Sequence, residues 1–395
     1  MKKFLRNNIW LFLIIALALL FPQSLSSQAE LGMRMIISGV GIDYVDDKYE
    51  ITAQVVLPAK SEKAGGINAK IGFVTEPAAT IGEGVNAVSK KFGKIAEFSH
   101  LEYILIGEGF ENKNLAGELD YFFRNFKLKN SIMLLSTEQS SAKETITKVG
   151  KLDMGVALSM QKIYYTNQEN LNAISKTYVD FISESLSADG ISVLDTLVFE
   201  EEEAEGQTKQ SQMKILSPLK IYKNGEFVAK IEDENDIFAY YFYNRKSKSG
   251  NMQLENFSFG DVLNANINIR IDDFKKHKSV NLDGGFPTLS IKFDIIESHI
   301  DEIAGKAINA KLFTSYLDKD LQTAIITEAQ NKLKNQLYAL FEKCKQNNID
   351  IFGVARECNR YAKQDWQNYL DGLANKEHYL QNCNLDIEVE FDKLR

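Results

Sequence analysis

Apolar positions along this chain change period several times, and each change marks an element. Phe98–Phe110, FSHLEYILIGEGF, is the centre of the first half. Leu101–Ile106 is an almost unbroken apolar run closed by Gly107 and Gly109, which predicts a buried strand opened by His100. Ahead of it, Ile81, Val85, Val88 and Phe92 recur at helical spacing behind a capping box, Thr80-x-x-Glu83. Behind it, Leu115, Leu119, Phe122 and Phe126 repeat that spacing. Ile132–Leu135 is a second buried run, and Ser141-x-x-Glu144 caps a helix holding Ile146 and Val149. Helix, strand, helix, strand, helix predicts a mostly parallel sheet covered by helices.

Upstream, Met35–Tyr44 and Tyr49–Leu57 predict a hairpin turning at Asp46-Asp47, with Lys70–Thr75 as a third strand. Ser61–Asn68, with Gly65-Gly66, reads as a loop. Leu171, Ile174, Tyr178, Phe181 and Ser185 return to helical spacing before a strand at Ile191–Phe199. Glu200–Glu203 with Glu205 form a self-repelling run, which predicts a solvated loop or a domain boundary. The second half opens with a hairpin, Ile215–Tyr222 and Phe227–Ile231, around Asn224-Gly225, a pair suited to a tight turn. Phe238–Lys248, FAYYFYNRKSK, predicts core-facing aromatics followed by a solvated basic loop.

Period two at Ile267, Ile269, Ile271 and again at Leu289, Ile291, Phe293, Ile295 predicts antiparallel strands with one wet face. Leu321, Ile325, Leu333, Leu337, Leu340, Phe341 and Cys344 mark one face of a helix of about 25 residues. Val354, Cys358, Tyr361 and Trp366 mark a second helix. In the last strand, Leu385–Phe391, the acidic row Asp386, Glu388, Glu390, Asp392 reads as a solvated face that discourages edge pairing. The fold class expected is multi-domain α+β / α/β: mixed sheets flanked by helices, with an antiparallel sheet and two long helices in the C-terminal domain. The expected domains are 30–205 and 206–395, the second divided, if at all, near 285.

Composition adds compartment. Lys2, Lys3 and Arg6 precede the apolar run Ile9–Phe21, shorter than the roughly 20 residues that span a bilayer. Ser27 and Ala29 then suit the −3 and −1 positions of a cleavage site, so residues 1–29 read as a secretory signal or, if uncut, an anchor. Either way the body is exported. A net charge of −8 makes nucleic acid or an anionic lipid surface a poor bulk partner. Cys344, Cys358 and Cys383 are odd in number and lack C-x-x-C spacing, so buried free thiols are expected, one disulfide being allowed outside the cell.

The search for chemistry returns little. G-x-S-x-G, H-E-x-x-H and the phosphate-binding G-x-x-x-x-G-K-[ST] are all missing, so no catalytic, cofactor or metal residues are assigned. His100 with Glu102 two residues on could form an acid/base pair on a strand face, but structural pinning is the preferred reading. Gly82-x-Gly84-x-x-Ala87 matches a loose dinucleotide fingerprint in the wrong context, inside a capped helix.

Asp43 after IISGVGI, the strand QVVLP, SHLEYILIGE, and a following helix ending in Arg124 resemble the amino-terminal half of the Ger(x)C spore-germination proteins. Lys220–Ile231, the tripeptide Ile351-Phe352-Gly353 after a long helix, and the alternating C-terminal strand match in order. The resemblance implies a C subunit of a germinant receptor on the outer face of the cytoplasmic (spore inner) membrane, with A-type and B-type membrane-embedded subunits and the membrane surface as partners. It makes His100, Glu102, Arg124, Phe352 and Gly353 the structural or interaction candidates. The chain departs from that family in having no cysteine before Cys344, so the lipid-anchor cysteine is absent. An exported solute-binding protein and a secreted hydrolase are the rival expectations.

Overall fold

The computed structural model describes residues 33–59, 68–107, 109–126, 128–138, 140–152, 176–202, 210–244, 250–260, 263–307, 319–392 and 394–395. Strands β1 (Arg34–Val45) and β2 (Lys48–Ala59) form the expected hairpin. Asp46 and Asp47 hold positive φ of 49° and 59°, the left-handed pair that a two-residue turn of matching twist requires. β3 (Asn68–Ala78), β4 (Ile95–Glu97), β5 (Tyr103–Ile106), β6 (Met133–Thr137), β7 (Ile191–Glu202), β8 (Gln210–Lys223) and β9 (Glu226–Ile231) complete a nine-stranded sheet. Its order is β3-β2-β1-β5-β6-β7-β8-β9, with β4 beside β1. The middle, β1-β5-β6-β7, is parallel, and both flanks are antiparallel.

Helices cover both faces of the parallel centre. On one side α1 (Ile81–Phe92), α2 (Leu115–Asn125) and α4 (Tyr178–Ser185) pack on Ile104 and Ile106; on the other α3 (Ala142–Leu152) packs on Tyr103 and Leu105. The short run in β5 is apolar throughout because alternate residues feed two separate cores. α1 has the Thr80 cap, accepting from the Glu83 N–H at 3.2 Å, and Glu83 reaches back to Ala79 rather than to Thr80 itself. The loose nucleotide motif is explained by packing: a Cβ at Gly84 would lie 2.3 Å from Ile51.

The second sheet is β10 (Gly250–Phe259), β11 (Leu263–Asn281), β12 (Thr288–Ala307) and β13 (Asn384–Phe391), in that order. Between the sheets lies α5 (Glu234–Asn244), the aromatic segment, with Ala239, Tyr240, Phe242 and Tyr243 almost wholly enclosed. One continuous core joins Ile191, Val193, Leu219 and Ile221 of the first sheet to α5, to the second sheet and to α6 (Lys319–Asn347). A helix with apolar residues all round is stable only when enclosed.

Several expectations change. β5 begins at Tyr103, so His100 and Glu102 precede the strand, because Ser99 and His100 are taken up in a turn. Glu200–Glu202 do not form a loop; they extend β7 against Gln210–Gln212, where ladder hydrogen bonds outweigh their repulsion. The connection expected to separate domains near 205 therefore joins two paired strands, and β8 and β9 belong to the first sheet. The second C-terminal helix is broken at Ala362 into α7 (Val354–Tyr361) and α8 (Lys363–Asp371). β13 runs parallel to β12, because the chain returns to the sheet through helices rather than a hairpin. Its acidic row is partly neutralised by Lys292, 3.5 Å from Glu388 and 2.7 Å from Glu390. Ser61–Ile67, Leu171, Ile174 and Arg245–Lys248 lie outside the described residues.

Because one core spans both sheets, urea unfolding followed by far-UV circular dichroism and by Trp366 fluorescence should give one coincident transition. Leu337→Ala in α6 should shift both signals together by about 2–5 kcal/mol; two separated transitions would show that the halves fold independently.

Candidate functional site

Two sets of buried polar contacts hold the motif residues. The first is at the C-terminal end of β1. The Asp43 carboxylate accepts from the N–H groups of Ala142 (2.7 Å) and Lys143 (3.0 Å) in the first turn of α3, where the helix presents free donors and partial positive charge. Gly107 leaves the necessary space: a Cβ there would lie 1.7 Å from the Asp43 carboxylate. Gly39 similarly admits Tyr103, whose hydroxyl donates to the Gln54 side chain, and a Cβ there would lie 2.3 Å from the ring. Asp43 and the end of SHLEYILIG thus form one steric and electrostatic unit.

His100 is exposed in the turn before β5, and no ion pair joins it to Glu102. Glu102 is anchored by its backbone, donating to Ser38 and accepting from Met133 at 3.0 and 2.9 Å. Its half-buried carboxyl has one oxygen enclosed without a hydrogen-bond partner. Burial pushes its pKa up to about 7, against the opposing charge of Lys129. Arg124, in the last turn of α2, is exposed and pairs with Asp120 one turn earlier.

The second set lies where the two sheets meet, around Ile351-Phe352-Gly353. Asp350, fully enclosed, accepts from Val354 and Ala355 N–H groups at 2.9 Å each and from the Tyr379 hydroxyl at 2.8 Å. Burial raises its pKa while the two backbone donors oppose the shift. Gly353 follows at φ 71°, the left-handed turn that starts α7. Phe352 packs on Tyr243 and Phe341, with ring centres 4.6 and 5.3 Å apart, and its carbonyl accepts from the Tyr243 hydroxyl.

Tyr243 is in turn flanked by two cations on β11. Lys276 and Lys278 lie 4.7 and 4.1 Å from its ring centre and donate to its carbonyl and hydroxyl respectively. Burial lowers their pKa to about 7 and about 8. Arg356 of α7 reaches across to Asp189, which precedes β7 of the first sheet, at 3.4 Å. Asp189 is pushed up to about 6 by burial, with Arg356 opposing. Tyr241 binds Asp195 of β7 at 3.1 Å. These groups act as a joint between the sheets, each engaged in holding backbone or a counter-charge.

Phe352 and Gly353 are thus brought together with residues that sequence reasoning missed: Asp350, Tyr243, Lys276, Lys278, Asp189 and Arg356. The period-two placement of Lys276 and Lys278 was the available signal, but it reads as a solvated face until α5 is seen to cover it. All three cysteines are buried and unpaired, and burial raises their pKa, Cys358 to about 12, which disfavours thiolate chemistry. Among the described residues no group of three His, Cys, Asp or Glu could hold a metal. A cleft of about 550 Å³ runs between α5, β10 and α6. Contacts of Lys343 with Asp236 (2.6 Å), Gln336 with Asn235 (2.7 Å) and Lys332 with the Gln253 carbonyl (2.7 Å) cross it.

Asp350→Ala should destabilise the fold by at least about 3 kcal/mol in chemical denaturation, since it strands two buried N–H groups and a hydroxyl. For Glu102 the folded carboxyl holds its proton more tightly than the unfolded one. Its contribution is therefore complete below pH 4.5 and lost as pH rises through about 7. Glu102→Gln should remove that pH-dependence, gaining on the parent chain at pH 8 but not at pH 4, in thermal unfolding across pH.

Two family models together span most of the chain. That of the spore germination protein N-terminal domain matches residues 27–197, and that described as spore germination B3/GerAC like, C-terminal, matches residues 195–393. The models meet within β7, inside the first sheet. Among solved structures, the crystal structure of the GerBC protein superposes with a TM-score of 0.53 and 16% identity, covering 90% of this chain and 96% of that chain. At that identity the likeness concerns the fold. None of the curated proteins compared matches the chain. Matched over both halves, the chain belongs to the GerAC-like family of spore germination proteins, the C subunits of germinant receptors.

Proposed function

We propose that this chain is an exported, non-catalytic subunit of a spore germinant receptor, acting on the outer face of the spore inner membrane through contacts with membrane-embedded A-type and B-type subunits. The observation that carries the reading is the joint at Phe352. The chemically capable side chains of the described core, Asp350, Asp189, Arg356, Lys276 and Lys278, converge there on backbone groups, a tyrosine and one another rather than on a cavity. Such an arrangement makes two sheets into one stiff body, which suits a protein that presents surface to partners. Among the described residues no helix is long and apolar enough to cross a membrane, and the run Ile9–Phe21 lies outside them.

A solute-binding role needs a cleft with free converging groups. The cleft beside α6 is instead bridged by three side-chain contacts, which favours the assembly reading.

Antibody capture of the chain from detergent-solubilised spore membranes should recover polytopic membrane proteins in comparable amounts. Recovery of the chain alone from the soluble fraction would overturn the proposal. Phe352→Ala, costing about 3–5 kcal/mol, should reduce the captured partners in step with the loss of folded chain in spores.

A further inference from the structure

Resting on the receptor reading above, we propose that the end of the first sheet at which its parallel strands begin is a docking surface for an anionic lipid bilayer. Here the start of β1, the loop after α1 and the close of α2 come together. The Ile95 N–H donates to the Met33 carbonyl at 2.9 Å, and the rings of Phe98 and Phe126 lie 4.2 Å apart. Met33 is 59% exposed, Ile95 63% and Ile36 37%, and Phe123 in the last turn of α2 is 63% exposed. Single exposed apolar residues need no explanation, but a group of them rimmed by charge marks a contact surface.

The rim is basic. Lys90 and Lys91 close α1, Lys94 stands beside Ile95, and Arg34 pairs with Ile95 across the ladder. Arg34 shares its charge with Glu97 and Lys91 with Glu76, whereas Lys90 and Lys94 have no carboxylate partner among the described residues. In a chain of net charge −8, cations gathered around an apolar cluster complement an anionic surface. Connectivity points to the same occupant. The sequence before Met33 carries Lys2, Lys3, Arg6 and the apolar run Ile9–Phe21, and the connection Pro22–Gly32 reaches no more than about 40 Å fully extended. An apolar run of that kind partitions into bilayers, so in a chain that keeps it as an anchor the end bearing Met33 is the end held at the membrane.

The test uses the full chain reconstituted on vesicles, with an environment-sensitive fluorophore attached through Ile95→Cys or, as control, Val45→Cys at the opposite end of β1. The three native thiols are buried, which makes the labelling selective. On vesicles of mixed phosphatidylglycerol and phosphatidylcholine, the label at position 95 should shift to shorter wavelength and lose access to iodide, while the label at position 45 stays accessible. Each lysine near such a surface is worth roughly a fivefold factor. Lys90→Glu with Lys94→Glu should therefore lower the docked-to-undocked ratio by at least about 25-fold without altering the unfolding midpoint by more than a surface change does.

Equal iodide access with and without vesicles, equal protection at both positions, or indifference to the charge reversal would each overturn the proposal. Protection that arises only when receptor subunits are added, and not with lipid, would also overturn it by assigning the surface to a protein. If the position-95 label stays exposed while the chain still co-purifies with membrane proteins, the docking surface fails and the receptor reading stands. Docking by a chain that captures no membrane proteins separates the two in the opposite sense.

Discussion

Helix α5 has almost no polar side, and that constraint organises the molecule. Ala239, Tyr240, Phe242 and Tyr243 cannot all be removed from water by packing on one sheet, because a sheet covers one stripe of a helix. The first sheet supplies one wall through Ile191, Val193, Leu219 and Ile221, and the second sheet with α6 supplies the other. Enclosure of the tyrosines then demands partners for their hydroxyls, since an unsatisfied buried polar group is expensive. Asp195 serves Tyr241 and the Phe352 carbonyl serves Tyr243. The hydrophobic requirement thus generates the polar one, and the polar contacts align the two sheets.

The charged groups at this joint follow the same logic. Lys276 and Lys278 cover a tyrosine ring while losing water, so their pKa falls; Asp189 and Asp350 lose water too, so theirs rise. These four shifts run toward the neutral form, the direction expected when burial outweighs pairing, whereas the surrounding carboxylates raise the pKa of Arg356 against its burial. Arg356 to Asp189 is the link that crosses from α7 to the first sheet, and its loss would leave a buried carboxyl with the Ser187 hydroxyl as donor and the like charge of Asp350 nearby. A body of this kind holds its surfaces in a fixed relation to one another.

That distinction bears on how a GerAC-like chain takes part in germination. Its large sheet ends in a basic, partly apolar rim, whereas β13 at the edge of the small sheet carries Asp386, Glu388 and Glu390. The two surfaces differ in chemistry and are linked through the first sheet, whose β7 and β8 share a core with the small sheet, so a partner bound at one is held in a defined orientation relative to whatever meets the other. A flexible pair of domains would lose that relation.

Much of the fold was legible locally. The Thr80 and Ser141 caps, the Asp46-Asp47 and Asn224-Gly225 turns, and the apolar run of β5 are each decided by residues within a few positions, and local rules read them. The candidate site was legible only in outline: Phe352 and Gly353 stood out through family resemblance, while the residues that give them a role did not. The reason is distance along the chain. Asp43 meets Ala142 across 99 positions and Tyr243 meets Phe352 across 109, and no periodicity or spacing rule carries information so far. The sequence by itself determined most of the strands, helices and turns, because those depend on neighbouring residues; the strand through Glu200–Glu202, helix α5, strand β10 and the break at Ala362 escaped it. Only the tertiary structure decided that β8 and β9 join the first sheet, that β13 runs parallel, and which buried charges face one another, because these depend on how separate elements share one enclosed volume.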